Sequence, residues 1–238
     1  GCAAGRMTRY MREERNCRVY IVEYDEKAYD IARQYAAGGI CGDIMDYSWE
    51  EEFRDIRFDA VLFADVLEHL SDPVTVLKKA ARLMKEDGRI YVSLPNITHN
   101  DILLKSREER FDYTATGILD DSHVRFWGLQ NLPELAEQCG LTLRFVRGTH
   151  CPTGYTEQYP DKQPKTGLLE NILKERQCGE IYQFVFALDK NPEPGEAPVL
   201  RKPEIQSHVY LDTGRDFNPD EIVGFVTKGY GVSIHRCD

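Results

Sequence analysis

The sequence has no C-x-x-C pair, no long apolar run, no excess of basic charge and no G-x-G-x-x-G fingerprint. Each absence narrows the reading. The seven cysteines, Cys2, Cys17, Cys41, Cys139, Cys151, Cys178 and Cys237, are odd in number and far apart. They fit small buried side chains and a few thiols in a reducing cytoplasm better than a zinc site or a disulfide framework. A membrane helix needs about twenty apolar residues in a row, and nothing here approaches that, so no membrane span is expected. Residues 1–6 carry no apolar segment of the signal-peptide kind. Lys and Arg total 30 against 40 Asp and Glu, a formal net charge of -10. That balance argues against a nucleic-acid partner, because phosphate binding needs a basic face.

What is present is an ordinary globular composition, with 238 residues, 42% hydrophobic and 29% charged. The length suits one domain with a small appendage. Residues 18–23 (RVYIVE) are β-branched and aromatic and read as a strand. Residues 26–37 have helical spacing behind Asp25, a natural N-cap, and end at Gly38 and Gly39. A very short strand is expected over residues 40–43. Residues 58–64 (FDAVLFA) form a continuous apolar run of the kind found in central parallel strands. Asp72 and Pro73 open a helix over residues 73–85, and residues 89–94 (RIYVSL) form the next strand before Pro95. A helix over 129–139 closed by Gly140, and strands over 141–147 and 181–188, follow. Alternation of this kind predicts a parallel sheet with helices on both faces. Residues 97–128 are long, polar and interrupted, the pattern of a functional lid.

Three parts are expected: a main domain over residues 1–190, a Pro-rich linker over 191–203, and a short β-rich extension over 204–238. The last is read as the start of a truncated domain. The opening GCAAGR reads as the middle of a motif, so a fragment is expected, with more sequence upstream.

Gly1, Ala3 and Gly5 have the G-x-G-x-G spacing with Ala in the middle, a turn that lets a ligand approach the backbone. By itself the turn is a weak signal. The strand ending in Glu23 adds a carboxylate suited to both hydroxyls of a ribose, and Asp43, after the next strand, suits an adenine amino group. Then the run 58–64 leads into Asp65-Val66-Leu67-Glu68-His69-Leu70. Four elements in this order are far more specific than any one.

GCAAG, VEYD (22–25), GDI (42–44), FDAVLFADVLEHL (58–70) and LMKEDGRIYVSLPN (83–96) resemble the successive motifs of class I S-adenosylmethionine-dependent methyltransferases. The branch is that of quinone- and sugar-modifying small-molecule enzymes, and residues 122–141 resemble its approach to the last helix. The resemblance covers residues 1–148 well and continues loosely to 188. It implies a Rossmann-like, doubly wound α/β sheet of seven strands, one of them antiparallel, with the first strand preceding Gly1. It implies S-adenosylmethionine as cofactor, with Gly1, Ala3 and Gly5 facing its methionine part and Glu23 holding the ribose. Tyr24 would lie on the adenine, Asp43 and Ile44 would recognise the base, and Ala64 and Asp65 would line the floor near the sulfonium.

Methyl transfer to a hydroxyl needs an aligned lone pair and help in removing a proton. His123 first, then His69, are the candidate catalytic bases, since open α/β sheets place ligands beyond the carboxyl ends of strands. Asn96, His99, Tyr113 and Arg125 are candidate acceptor contacts, and Phe126 and Trp127 candidate packing residues. No metal is expected. The alternative is an ion held by Asp65, Glu68 and His69, which at i, i+3 and i+4 share one helical face. Residues 210–214 (YLDTG) loosely resemble extensions of methyltransferases fused to glycosyltransferase regions, which points to a sugar or glycan as the small-molecule acceptor. Two rival functions stand beside this one. A non-catalytic module of a larger glycan-assembly protein would keep Glu23 and Asp43 without turnover. An NAD(P)-dependent oxidoreductase is opposed by the missing fingerprint and by the lack of a Tyr-x-x-x-Lys pair.

Overall fold

The computed structural model describes residues 2–46, 48–191 and 222–226. In chain order the elements are α1 (Arg6–Glu13), β1 (Arg18–Glu23), α2 (Glu26–Ala32), β2 (Gly38–Cys41), α3 (Trp49–Glu52), β3 (Phe58–Ala64), α4 (Pro73–Leu83), β4 (Met84–Pro95), α5 (Asn100–Arg107), α6 (Asn131–Cys139), β5 (Thr142–His150), α7 (Leu168–Lys174), β6 (Ile181–Asp189) and β7 (Ile222–Val226). The 3-10 turns Arg33–Tyr35 and Leu67–His69 follow α2 and β3.

Seven strands form one sheet in the order β2-β1-β7-β3-β4-β6-β5. The pairs from β2 across to β4 are parallel, and β6 runs antiparallel to both β4 and β5. This is the Rossmann-like doubly wound sheet with one antiparallel strand. β7 pairs in parallel with β1 on one side and β3 on the other. It occupies the position that the resemblance assigns to a strand preceding Gly1, although its residues lie within the expected C-terminal extension. Most of residues 191–203 and 204–238, residues 210–214 and Cys237 among them, lie outside the described residues.

Strand periodicity sorts the core onto two faces. Val19, Ile21, Ala60, Leu62 and Tyr91 join Met11 of α1 and Ala32 of α2. Their alternate neighbours Val22, Val61, Phe63, Ile90 and Val92 join Val76, Leu77 and Ala80 of α4 and Leu132, Leu135 and Ala136 of α6. Side chains such as Phe63, Leu77 and Ile90 have no exposure, and burying each stabilises the fold by about 1.5–3 kcal/mol. The local signals act as their chemistry requires. Asp25 accepts from the Ala28 N–H and Asp72 from the Thr75 N–H, with Pro73 in the first turn of α4. Gly140 ends α6 in the left-handed region at φ 68°.

Three expectations need adjustment. The helix expected over 26–37 is α only to Ala32, then tightens to a 3-10 turn. The short strand lies over Gly38–Cys41, earlier than expected, because Tyr20 to Glu23 pair with those residues. The long connection is not wholly irregular: it contains α5, whose Ile102 and Leu104 are buried.

Candidate active site

The carboxyl ends of β1, β2 and β3 lie along one edge of the sheet, and the site residues gather there. Gly5 caps the start of α1 at φ 72°, and Ala3 takes φ 43°. A side chain at Gly5 would bring its Cβ to 2.7 Å from the Ala32 backbone, so glycine lets α1 approach α2. Ala3 holds its left-handed conformation with help from its N–H, which donates to Glu23 Oε2 at 3.1 Å. The other Glu23 oxygen accepts from the Asp25 N–H at 3.0 Å, and the residue has no exposed surface. Glu23 therefore ties the glycine turn to the β1–α2 turn. Tyr24, next to it, is 62% exposed, free of the core and able to offer its ring face.

Asp43 lies two residues past the end of β2, and the Gly42 N–H donates to the Glu23 carbonyl, so the two acidic positions sit at adjoining strand ends. Asp43 Oδ1 accepts from the Met45 N–H in a tight turn. Ile44 is buried in the core, and its carbonyl accepts from the Trp49 indole. Gly1 lies outside the described residues.

β3 ends at the half-buried Ala64, and Asp65 turns the chain at φ 52°, a strained value for a non-glycine residue. The strain is held by Ser93 and Gln183. The Asp65 N–H donates to the Ser93 hydroxyl, and the Ser93 hydroxyl and the Gln183 amide both donate to Asp65 Oδ1. Burial pushes the Asp65 carboxyl above its ordinary range, and these two hydrogen bonds work in the opposite direction. Neither Ser93 nor Gln183 was legible in the sequence. Each comes from a different strand, and an alternating strand pattern assigns them only a face.

The 3-10 turn after Asp65 carries Glu68 and His69, and the long connection folds back over it. The Val124 and Arg125 N–H groups both donate to the Glu68 carbonyl. His123 is thereby brought beside the turn, its ring 4.8 Å from that of His69 and its Nε2 4.0 Å from Glu68 Oε1. His69 Nδ1 lies 3.3 Å from the Ser122 carbonyl, and His123 Nδ1 lies 3.1 Å from the Ile118 carbonyl. The Glu68 side chain is 1% exposed, and neither of its oxygens has a hydrogen-bond partner. Burial first, then repulsion from Asp65, pushes its carboxyl well above the ordinary value. The cluster that the fold assembles is thus Glu68, His69 and His123. The sequence grouping of Asp65, Glu68 and His69 differs by one member, since Asp65 Oδ1 is bound by Ser93 and Gln183.

The expected acceptor contacts divide. Asn96 has no exposed surface; its amide donates to the Cys178 and Ile181 carbonyls, and its oxygen accepts from the Thr98 N–H and hydroxyl. Its amide ties the end of β4 to the start of β6 and its oxygen holds the turn at Thr98, which leaves no polar capacity for an acceptor. His99 is also fully buried, accepting from the Asp101 N–H at Nδ1 and donating from Nε2 to the Cys151 carbonyl. Burial holds its pKa below the usual histidine range, partly countered by Asp101. Both residues are structural ties, which corrects the sequence expectation: a polar residue just after a strand can face the loop beneath it as readily as the ligand edge. Tyr113 is 57% exposed against Phe111, and Arg125 is exposed with its guanidinium on the Ser71 carbonyl. Phe126 is partly exposed against His123, and Trp127 is buried in the core. One further residue had no sequence signal. Glu157 accepts from the Ile118 N–H and the Tyr182 hydroxyl, fixing the loop whose carbonyl meets His123.

Comparison with known proteins agrees with this architecture. A family described as a methyltransferase domain matches residues 1–92. The chain is 26% identical over 155 residues to the ubiquinone biosynthesis O-methyltransferase of Aeromonas salmonicida, covering 63% of this chain and 64% of that protein. The chain therefore spans somewhat less than two thirds of the length of that relative. Among solved structures, the plantazolicin methyltransferase BpumL in complex with a triazolic analogue and SAH superposes with a TM-score of 0.51 at 16% identity, covering 80% of this chain and 74% of that one. The putative methyltransferase bound to the Haloferax volcanii Trm112 activator gives 0.51 at 14% identity, covering 80% of each chain. At these identities the structures speak for the fold. The chain is thus similar to class I S-adenosylmethionine-dependent methyltransferases, through a methyltransferase-domain match over residues 1–92 and through its fold.

Proposed function

We propose that this chain transfers the methyl group of S-adenosylmethionine to a hydroxyl oxygen of a small-molecule acceptor. The observation that carries the reading is Glu23, a fully buried carboxylate that closes the glycine turn at the ligand edge of the sheet. A nucleoside presents hydroxyl and amino donors, and Glu23 and Asp43 are acceptors on adjoining strand ends, so the residues fit that cofactor by their own chemistry. The exposed Tyr24 ring suits the adenine face. Ala3, Gly5 and Asp65 line the way toward the acceptor end.

The cofactor supplies a methyl carbon made electrophilic by positively charged sulfur. The chain's part is to hold the acceptor oxygen in line with that carbon and to lower its affinity for its proton. Glu68, His69 and His123 are the groups for that task, brought together where the long connection crosses the turn after β3. Tyr113 and Arg125, exposed on the same connection, are the remaining candidates for acceptor contact. Relatives named for O-methylation favour oxygen as the receiving atom. A sugar or glycan hydroxyl is a narrower form of the proposal, whose sequence basis at 210–214 falls outside the described residues.

The test is a thermal shift with S-adenosylhomocysteine and, separately, NADH. A ligand at a hundred times its Kd stabilises by about 2.7 kcal/mol, enough to read as a raised midpoint. S-Adenosylhomocysteine should raise it, NADH should not, and Glu23→Ala should abolish the response. A shift with NADH alone would end the methyl-transfer reading. Transfer of labelled methyl to a panel of phenolic and sugar hydroxyls then selects the acceptor class.

A further inference from the structure

Glu157 clamps together segments that lie far apart in the sequence, and its own backbone is pinned on both sides. The buried Asp101 of α5 accepts from the Gly154 N–H at 2.7 Å, and from the Thr156 N–H and hydroxyl at 3.1 and 2.7 Å. The Gln158 amide donates to the Asp112 carbonyl. From this fixed base the Glu157 carboxylate reaches the long connection. Its Oε1 accepts from the Ile118 N–H at 2.7 Å, and its Oε2 from the Tyr182 hydroxyl of β6 at 2.9 Å. Gly117 makes the approach possible. Its φ is 101°, and an added Cβ would stand 2.2 Å from Glu157 Cδ and 2.5 Å from Oε1. Ile118 is fully buried in a cluster with Ile102 and Leu119, and Tyr182 packs against it.

The consequence falls on His123. The Ile118 carbonyl lies 3.1 Å from its Nδ1, and a carbonyl can only accept. A neutral His123 ring therefore carries its proton on Nδ1 and its lone pair on Nε2. Free histidine prefers the reverse. His99 shows that commoner form, accepting at Nδ1 from the Asp101 N–H and donating from Nε2 to the Cys151 carbonyl. We propose that Glu157 is a positioning residue: through the Ile118 peptide it fixes the His123 ring in its less common form, so that Nε2 is the atom able to take a proton. The inference deepens the methyl-transfer reading and rests on it for the use of that lone pair. There the acceptor's O–H bond breaks with its proton passing to Nε2, an oxygen electron pair forms the bond to the methyl carbon, and the C–S pair stays on sulfur. Glu157 acts by reach. Glutamine keeps the length, an acceptor oxygen for the Ile118 N–H and an amide that can donate to a rotated Tyr182 hydroxyl, whereas alanine keeps none of these.

The experiment uses the full chain with heavy nitrogen in its histidine rings. Long-range proton–nitrogen correlation spectra in mildly alkaline buffer, where the rings are neutral, tell a protonated ring nitrogen from a bare one. His123→Gln identifies the His123 signals, and S-adenosylhomocysteine binding is measured in parallel. Wild type should show His123 protonated on Nδ1 and His99 on Nε2. Glu157→Ala and Gly117→Ala remove the clamp in two independent ways, which guards against one variant that fails to fold. Each should lower the Nδ1–H to Nε2–H ratio of His123 by about fivefold or more, the worth of one hydrogen bond, with His99 unchanged. Glu157→Gln should keep the wild-type ratio. A His123 proton on Nε2 in wild type, or a ratio that survives Glu157→Ala, would overturn the positioning role; S-adenosylhomocysteine binding in that same protein would leave the methyl-transfer reading standing. The expected ratios in a wild type that does not bind S-adenosylhomocysteine would support the clamp and overturn the methyl-transfer reading.

Discussion

Two buried carboxylates at one edge of the sheet have opposite circumstances. Glu23 reaches two backbone N–H groups on either side of itself, and its environment comes from the chain. Glu68, in the turn after β3 with β7 between that strand and β1, is as deeply buried and meets two histidines but no donor within reach. The first is a built anchor: its charge organises the glycine turn whether or not a ligand is bound. The second carries a desolvation cost that the fold itself does not offset.

Substitutions that treat the two carboxylates alike should separate them. Glu23→Ala strands the Ala3 and Asp25 N–H groups in a closed site and is expected to cost about 2–4 kcal/mol in urea unfolding, with loss of S-adenosylhomocysteine binding. A loss under half a kcal/mol would mean that the carboxylate is not an anchor. Gly5→Ala probes the same anchor through the backbone. It combines a left-handed φ with a Cβ placed 2.7 Å from the Ala32 Cα, and should destabilise by about 2–3 kcal/mol. Glu68→Met should act in the other direction. It removes an unpartnered buried acid and should stabilise by about 1–2 kcal/mol in urea unfolding. Destabilisation by Glu68→Met would erase the contrast between the two ends.

The smallest effect concerns pH, and it belongs to the scaffold. His99 is held neutral by burial, with its folded pKa below the unfolded one. The unfolded chain therefore binds the proton first, and stability falls as pH drops through the ordinary histidine range. The slope is at most about 1.4 kcal/mol per pH unit for this one proton. Asp101, Glu157 and Glu180 oppose the shift without reversing it. Unfolding midpoints between neutrality and mild acid should decline in wild type, and the decline should flatten in His99→Gln. An unchanged slope would assign the acid sensitivity elsewhere.

Legibility followed range along the chain. β1, β3, α4, α6 and β6 were readable because strand alternation, helical spacing and caps such as Asp25 and Asp72 act within a few residues. Glu23 and Asp43 were readable because each follows a strand end. α5 was missed because its cap is a histidine, an uncommon choice, and it sits inside a polar stretch. Asn96 and His99 were misassigned because position after a strand does not reveal whether a side chain faces ligand or loop. Ser93, Gln183 and Glu157 had no signal, since each acts on a residue distant in the sequence.

By itself the sequence determined the doubly wound sheet, the order of its cofactor motifs and the acidic residues at the strand ends, all consequences of local periodicity and turn chemistry. The tertiary structure alone decided that His123 meets Glu68 and His69, that Asp65 is bound by Ser93 and Gln183, and that β7 stands between β1 and β3. Those contacts depend on how the long connection and the C-terminal strand return to the sheet. Such returns are set by packing and hydrogen bonding between residues that no local pattern relates.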